Sequence, residues 1–309
     1  MSDIVISEFM DEAAVETLKP DFEVTFDPTL VEDRERLLQA GRGVRALIVR
    51  NRTQVDPALL ARFPDLQVVG RLGVGLDNID LEACREANVA VMPAHGGNAV
   101  AVAEYVIAAI LLLRRGAYLS TLRVLAGEWP RQALMGHEIQ GATLGLVGFG
   151  AIARDVARRA RCLGMHVLAH DPFVTPNDQA WNEVERVASL DELLAAVDAL
   201  SLHVPLTDGT RHLIGRDALS RMKPGSVVIN TSRGGIVDET ALAESLRAGH
   251  LGGAMLDVFE HEPLPRDSVL AGVEGLVTTP HIAGVTHESN QRISWITVDN
   301  VRRALRGAV

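Results

Sequence analysis

The chain has 309 residues, 47% of them hydrophobic and 23% charged, a globular balance that excludes disordered, collagen-like and coiled-coil chains and leaves room for two domains with cores of their own. Its formal charge of −10 argues against a nucleic-acid or anionic-membrane surface, either of which needs an excess of Lys and Arg, and favours a small soluble partner. Cys84 and Cys162 stand far apart with no second cysteine at ligand spacing, so no disulfide framework or metal site is expected, and both read as reduced core residues.

Along the chain, Asp3-Ile4-Val5-Ile6 opens a strand with no basic segment and apolar stretch before it, which points to a cytosolic protein. Further apolar runs at 46–49, 67–70, 144–147, 166–169, 199–203, 226–230, 253–256 and 276–279 alternate with helical patterns. That alternation predicts an α/β fold with parallel sheets covered on both faces. The strands are too many for one comfortable open sheet. Two long helical patterns, from 98 to about 119 and from 288 to about 305, mark where the chain changes lobe. Residues 1–98 with 285–309 would then form one doubly wound lobe and 99–284 an inserted second. The longest apolar run, 106–113, is too short for a bilayer, which takes roughly 20 residues.

Residues 143–153 read as a buried strand entering a glycine turn and a helix over about 152–163. Gly148-x-Gly150-x-x-Ala153 is a dinucleotide fingerprint: one glycine makes the turn, the second lets a pyrophosphate approach the backbone, and the small third residue packs helix on strand. The triplet alone is weak evidence, but the next strand ends at Asp171, 21 residues after Gly150. An acid at that distance hydrogen-bonds the ribose hydroxyls of NAD and repels the 2′-phosphate of NADP.

The surrounding residues resemble the D-2-hydroxyacid dehydrogenase family, in particular its phosphoglycerate-dehydrogenase-like branch. The resemblance is carried by Gly136-His137-Glu138-Ile139-Gln140-Gly141 before the fingerprint, His203-Val204-Pro205-Leu206-Thr207, Met222-Lys223-Pro224-Gly225 and Asn230-Thr231-Ser232-Arg233-Gly234-Gly235. It continues through Leu256-Asp257-Val258-Phe259-Glu260-x-Glu262-Pro263 and Thr279-Pro280-His281-Ile282-Ala283-Gly284, so it covers nearly the whole chain. Ala153 replaces the third glycine, and Ala142 stands where the family usually has lysine. With the sequence ending at Val309, the regulatory domain that some relatives carry is not expected. The resemblance implies a flavodoxin-like substrate-binding lobe, a Rossmann NAD-binding lobe and a homodimer.

Oxidising a 2-hydroxy acid requires a base of near-neutral pKa and a cationic clamp on the carboxylate. His281 follows the strand at 276–279 at its carboxyl end, the edge where open α/β sheets bind ligands, and the resemblance makes it the acid–base. Glu262 resembles the carboxylate that holds the imidazole and fixes its tautomer. Arg233 resembles the arginine that binds the substrate carboxylate, a task suited to a planar guanidinium. Each alone also reads as an ordinary strand-end, loop or surface residue. Besides Gly148, Gly150 and Asp171, the resemblance assigns Ala151, Ile152, His203, Pro205, Thr231, Asp257 and Gly284 to the cofactor. For Asp257 a structural turn acid is the competing reading, and for His203 a packing role.

Arg50, Arg71 and Arg131 match positions that gather round the phosphate in the phosphoglycerate branch, and Gly73, Val74 and Gly75 match a loop whose N–H groups face the carboxylate. An anionic second group on the 2-hydroxy acid is therefore expected, because an unpaired buried guanidinium is costly. Phosphate and sulfonate are equally compatible with these arginines. Hydroxypyruvate or glyoxylate reduction is an alternative, and an NAD-sensing binding protein with the same motifs is the non-enzymatic one.

Overall fold

In the computed structural model, which describes residues 2–307, the apolar runs become strands of two separate parallel sheets. The first holds β1 (Ile4–Ile6), β2 (Val24–Phe26), β3 (Ala46–Val49), β4 (Val68–Arg71) and β5 (Ala90–Pro93), ordered β2-β1-β3-β4-β5. The second holds β6 (Thr143–Val147), β7 (His166–His170), β8 (Glu185–Arg186), β9 (Ala199–Leu202), β10 (Val227–Asn230), β11 (Gly253–Leu256) and β12 (Leu276–Thr278). Their order is β12-β11-β10-β9-β6-β7-β8. The first order is the flavodoxin-like one, and the second is the dinucleotide-binding order with a further strand at one edge. Strand order reverses between β1 and β3 in one sheet and between β6 and β9 in the other, and ligands bind at the carboxyl ends beside such reversals.

Side-chain alternation explains why both faces of each sheet are covered. In β10, Val227 and Ile229 enter one core with Ile110, Leu144 and Leu146, while Val228 enters the opposite one with Leu200 and Leu242. In the first sheet Ile4, Ile6 and Ile48 face one core, and Val5, Leu47 and Val49 the other. The described chain divides into two compact units, one running to Asn98 and resuming at Val285, the other Ala99–Gly284. The helix Ala99–Arg115 packs within the second unit, against β10, β11 and the helix Ala151–Cys162. The helix His287–Leu305 packs within the first, against β4 and β5.

Several local outcomes differ from the sequence expectation. The first long helix stops at Arg115 because Gly116 adopts φ 62°, and the chain continues as a short 3-10 turn, Ala117–Ser120. The second begins at His287, capped reciprocally by Thr286 and Ser289. Strands β2, β5 and β8 were not expected. Cys84 is buried, but Cys162, at the last position of its helix, is exposed, so the core reading fails for it; both thiols are free. Among the described residues, no helix is long and apolar enough to cross a membrane.

Candidate active site

The glycine turn sits where the second sheet reverses. Gly148 has φ 86°, a conformation that favours glycine, and a Cβ there would lie 2.5 Å from the His203 carbonyl oxygen. At Gly150 a Cβ would meet nothing within 4 Å, so the backbone is open to a ligand on that side. Gly150 caps the helix Ala151–Cys162 with no side-chain hydrogen bond, leaving first-turn N–H groups at Ala151 and Ile152 for an anion, while Ala153 is fully buried against the sheet. Asp171 accepts the Phe149 N–H on Oδ2 and the Phe173 N–H on Oδ1, both at 2.8 Å, which ties the acid to the turn it serves.

The far wall comes from the strand on the other side of the reversal. His203 donates its backbone N–H to Val147 at 2.7 Å, and its ring Nε2 lies 2.9 Å from Ser201 Oγ. Burial pushes the His203 imidazole down from the ordinary 6.5 to about 4, so it stays neutral in neutral solution. The Pro205 carbonyl is held by the Thr210 hydroxyl at 2.6 Å. Thr231 Oγ1 is shielded from solvent with no partner among the described residues. The open glycine cradle, the exposed helix N-terminus and this unpartnered hydroxyl fit a bound dinucleotide.

The residues expected to carry acid–base chemistry lie in the same unit, on the segments that follow β10, β11 and β12. His281 Nδ1 is 2.8 Å from Glu262 Oε2, and Glu262 Oε1 accepts the Phe259 N–H at 3.0 Å. A carboxylate only accepts, so Nδ1 carries the proton of that bond and Nε2 remains to exchange one. His281 has φ 53°, which costs a residue with a Cβ about 1–2 kcal/mol. Asp257, 1% exposed, holds that turn: its carbonyl accepts the His281 N–H, Oδ1 the Ile282 N–H and Oδ2 the Ala283 N–H, each at 2.8 Å. Hydrogen bonds to a charged group contribute roughly 1.5–3 kcal/mol each, enough to outweigh the strain. Both oxygens of Asp257 are thus engaged by the His281 turn.

Arg233 lies on the turn after β10, with its Nη1 donating to the Ser232 carbonyl at 2.6 Å. The turn is fixed by Asn230, whose side chain accepts from the Ser232 N–H and donates to the Arg233 carbonyl. A Cβ at Gly234 would lie 1.7 Å from the Phe259 carbonyl oxygen, so the Arg233 turn presses directly on the loop that leads to Glu262. Gly284 closes the His281 turn and ends the second unit.

In the first unit, Arg50 follows β3 and Arg71 ends β4, on adjacent strands paired Val49 to Arg71. Arg71 donates Nη1 to the Leu72 carbonyl at 2.6 Å, and its guanidinium fills the space a Cβ on Gly73 would need. Val74 and Gly75 continue the same loop. Arg50 donates to Asn290 Oδ1 at 3.0 Å; burial lowers its guanidinium from the ordinary value, and Glu8 opposes that shift. Arg131 belongs to the second unit, on the exposed segment near Trp129.

Sequence reasoning missed Glu8. This buried acid follows β1 at the reversal of the first sheet and accepts the N–H groups of Arg50 at 2.8 Å and Thr53 at 2.9 Å, with Arg52 beside them. The only sequence signal is an acid directly after a buried strand. Phe149 was also missed: its ring stacks on Trp181 at 4.7 Å between centroids, which braces the glycine turn from below.

Residues 107–283 match the model of the D-isomer specific 2-hydroxyacid dehydrogenase NAD-binding domain. The chain is 75% identical over 305 residues to (S)-sulfolactate dehydrogenase of Chromohalobacter salexigens, covering 99% of both chains. It is 36% identical to D-3-phosphoglycerate dehydrogenase of Archaeoglobus fulgidus, covering 98% of this chain and 57% of that longer one. Among solved structures, a glyoxylate reductase from Paecilomyes thermophila superposes with a TM-score of 0.86 at 31% identity, covering 98% of this chain and 94% of the other.

Proposed function

The chain belongs to the D-isomer specific 2-hydroxyacid dehydrogenases, NAD-dependent oxidoreductases of CH–OH groups, and from that premise we propose that it interconverts (S)-sulfolactate and sulfopyruvate. The observation that carries the substrate choice is the likeness to the Chromohalobacter enzyme from end to end. NAD, when bound, accepts or returns the C2 hydride. His281 takes the hydroxyl proton on Nε2 during oxidation and gives it to the carbonyl oxygen during reduction. Glu262 holds the ring in the required tautomer, and Arg233 binds the carboxylate and polarises the carbonyl. Arg50 and Arg71 take the sulfonate, with Glu8 fixing the backbone that carries Arg50. The N–H groups of Val74 and Gly75 face the carboxylate, that of Gly73 being spent on the Arg71 carbonyl at 2.9 Å, and Arg131 adds positive charge.

The test is NADH consumption by the purified chain with sulfopyruvate, 3-phosphohydroxypyruvate, hydroxypyruvate and pyruvate. Sulfopyruvate should give the highest kcat/KM. Preference for 3-phosphohydroxypyruvate would reassign the substrate, and NADH binding without turnover of any member would favour a sensor.

We further propose a homodimer acting in the cytoplasm, where an NAD-linked enzyme meets its coenzyme pool. Tyr118, Leu122, Leu125, Trp129 and Met135 are each at least 70% exposed, an apolar concentration in one segment that supports burial against a second copy. Light scattering should give twice the chain mass, and Leu122→Asp with Leu125→Asp should yield monomers; a monomeric wild type overturns this part.

A further inference from the structure

We infer that Thr279 and Tyr105 are positioning residues for the acid–base histidine, joined to it by a hydrogen-bond chain that runs from Tyr105 through Thr279 to Asp257. The inference rests on His281 being the proton carrier. Three consecutive N–H groups, those of His281, Ile282 and Ala283, converge on Asp257 and hold the imidazole-bearing turn in its left-handed conformation. A buried carboxylate oxygen left without a donor is costly, and one of the Asp257 donors is a side chain: Thr279 Oγ1 donates to Asp257 Oδ1 at 2.6 Å.

That bond settles the direction of the next one. Thr279 spends its only hydroxyl proton on Asp257, so its oxygen must accept from Tyr105, whose hydroxyl it touches. Tyr105 projects from the helix Ala99–Arg115, 174 positions away in sequence. The chain therefore ties the catalytic turn to a long helix instead of leaving it to local turn geometry. Burial raises the Tyr105 phenol above its ordinary value, which keeps it a donor in neutral solution. Phenylalanine at 105 would keep the ring and lose only the tether. Valine at 279 would keep the shape, remove a donor from Asp257 and strand the Tyr105 hydroxyl.

Arg233 sits on a separate turn, so loosening the His281 turn should act on the proton-transfer step and spare carboxylate binding. The experiment compares Thr279→Val, Thr279→Ser, Tyr105→Phe and His281→Ala with wild type. It measures kcat and KM for the best 2-oxo acid, the pH profile of kcat/KM, and amide exchange at Ile282 and Ala283 by mass spectrometry. A displacement of the base by an ångström is worth up to about a hundredfold, so Thr279→Val should lose about 10- to 100-fold in kcat with KM within about twofold.

Thr279→Ser should recover most of that loss, and Tyr105→Phe should lose about 3- to 10-fold. Exchange at 282 and 283 should quicken in Thr279→Val and Tyr105→Phe while the glycine turn is unchanged, and the alkaline limb of the pH profile, where the imidazole must hold its proton to reduce the 2-oxo acid, should move downward as the contact with Glu262 loosens. Should Thr279→Val not fold, Tyr105→Phe carries the test, because it removes a single half-buried hydroxyl. Wild-type kcat and exchange in Thr279→Val or Tyr105→Phe, or a serine variant as impaired as valine, overturns the inference. When His281→Ala is inactive, those results leave the proposed reaction standing; an active His281→Ala overturns both.

Discussion

Glu262 divides its carboxylate between a ring and a backbone: Oε2 lies 2.8 Å from His281 Nδ1, while Oε1 accepts the N–H of Phe259 at 3.0 Å. The second bond fixes the acid so that the first can orient the imidazole. Because Phe259 also abuts Gly234 in the Arg233 turn, one short loop relates the proposed proton carrier to the proposed carboxylate clamp.

His281→Ala should lower kcat by about 10²- to 10⁴-fold with little effect on KM, the range for loss of a positioned acid–base. Arg233→Ala should lower kcat and also raise KM, since its contact begins in the ground state. Steady-state kinetics on the preferred 2-oxo acid separate the two patterns. Near-wild-type turnover by His281→Ala would remove it from the mechanism.

NAD should be preferred to NADP by at least about tenfold in kcat/KM, because a 2′-phosphate would meet the Asp171 carboxylate and like charges brought together cost several kcal/mol. Asp171→Ser should narrow that ratio. It should also weaken NAD use, since the same carboxylate holds the N–H of Phe149 in the glycine turn. Equal kcat/KM for the two coenzymes in the wild type would contradict the assignment.

Arg71→Ala should reduce kcat/KM for a sulfonate- or phosphate-bearing substrate by about one to two decades, the value of one charge-assisted contact at roughly 1.5–3 kcal/mol. Pyruvate and glyoxylate have no second anion and should lose much less, and added salt should penalise the dianion more. Arg71 also braces the carbonyl of Leu72, so an equal loss for all substrates would mean that it serves the loop at 73–75 and not the second anion.

His203 gives the protein an acid-sensitive element. Its imidazole is neutral in the folded chain down to about pH 4, whereas the unfolded chain protonates it near the ordinary 6.5. The unfolded state therefore binds more protons in that interval, and the stabilisation present above pH 6.5 is lost as pH falls toward 4. The shift corresponds to about 3 kcal/mol. Unfolding midpoints of wild type and His203→Asn should diverge in pH dependence across this window; parallel curves would contradict it.

The legible parts of the fold are those in which burial leaves a continuous apolar run. The three unexpected strands all lie at sheet edges: Val24–Phe26 and Ala90–Pro93 are half-buried, and Glu185–Arg186 is charged and exposed. An edge strand needs only one covered side, so Val24-Thr25-Phe26 is interrupted by a polar residue and Glu185-Arg186 has no apolar one, whereas Ala90-Val91-Met92 does form an apolar run and was overlooked. The glycine turn and Asp171 were readable because a dinucleotide fingerprint has a fixed local spacing. Glu8, Thr279 and Tyr105 were not, because each acts on partners 22 or more positions away, and a polar residue beside a strand is common. Asp257 could be picked out, but its grip on the 281–283 turn becomes visible only once β11 and β12 are adjacent.

The most direct measurement is NADH formation at 340 nm from NAD⁺ and each pure enantiomer of sulfolactate, with D-3-phosphoglycerate and D-lactate in parallel. Rapid NADH formation is expected from the (S) enantiomer, none above background from the (R) enantiomer, and lower kcat/KM for the other two. Equal rates from both enantiomers, or faster turnover of D-3-phosphoglycerate than of (S)-sulfolactate, would contradict it.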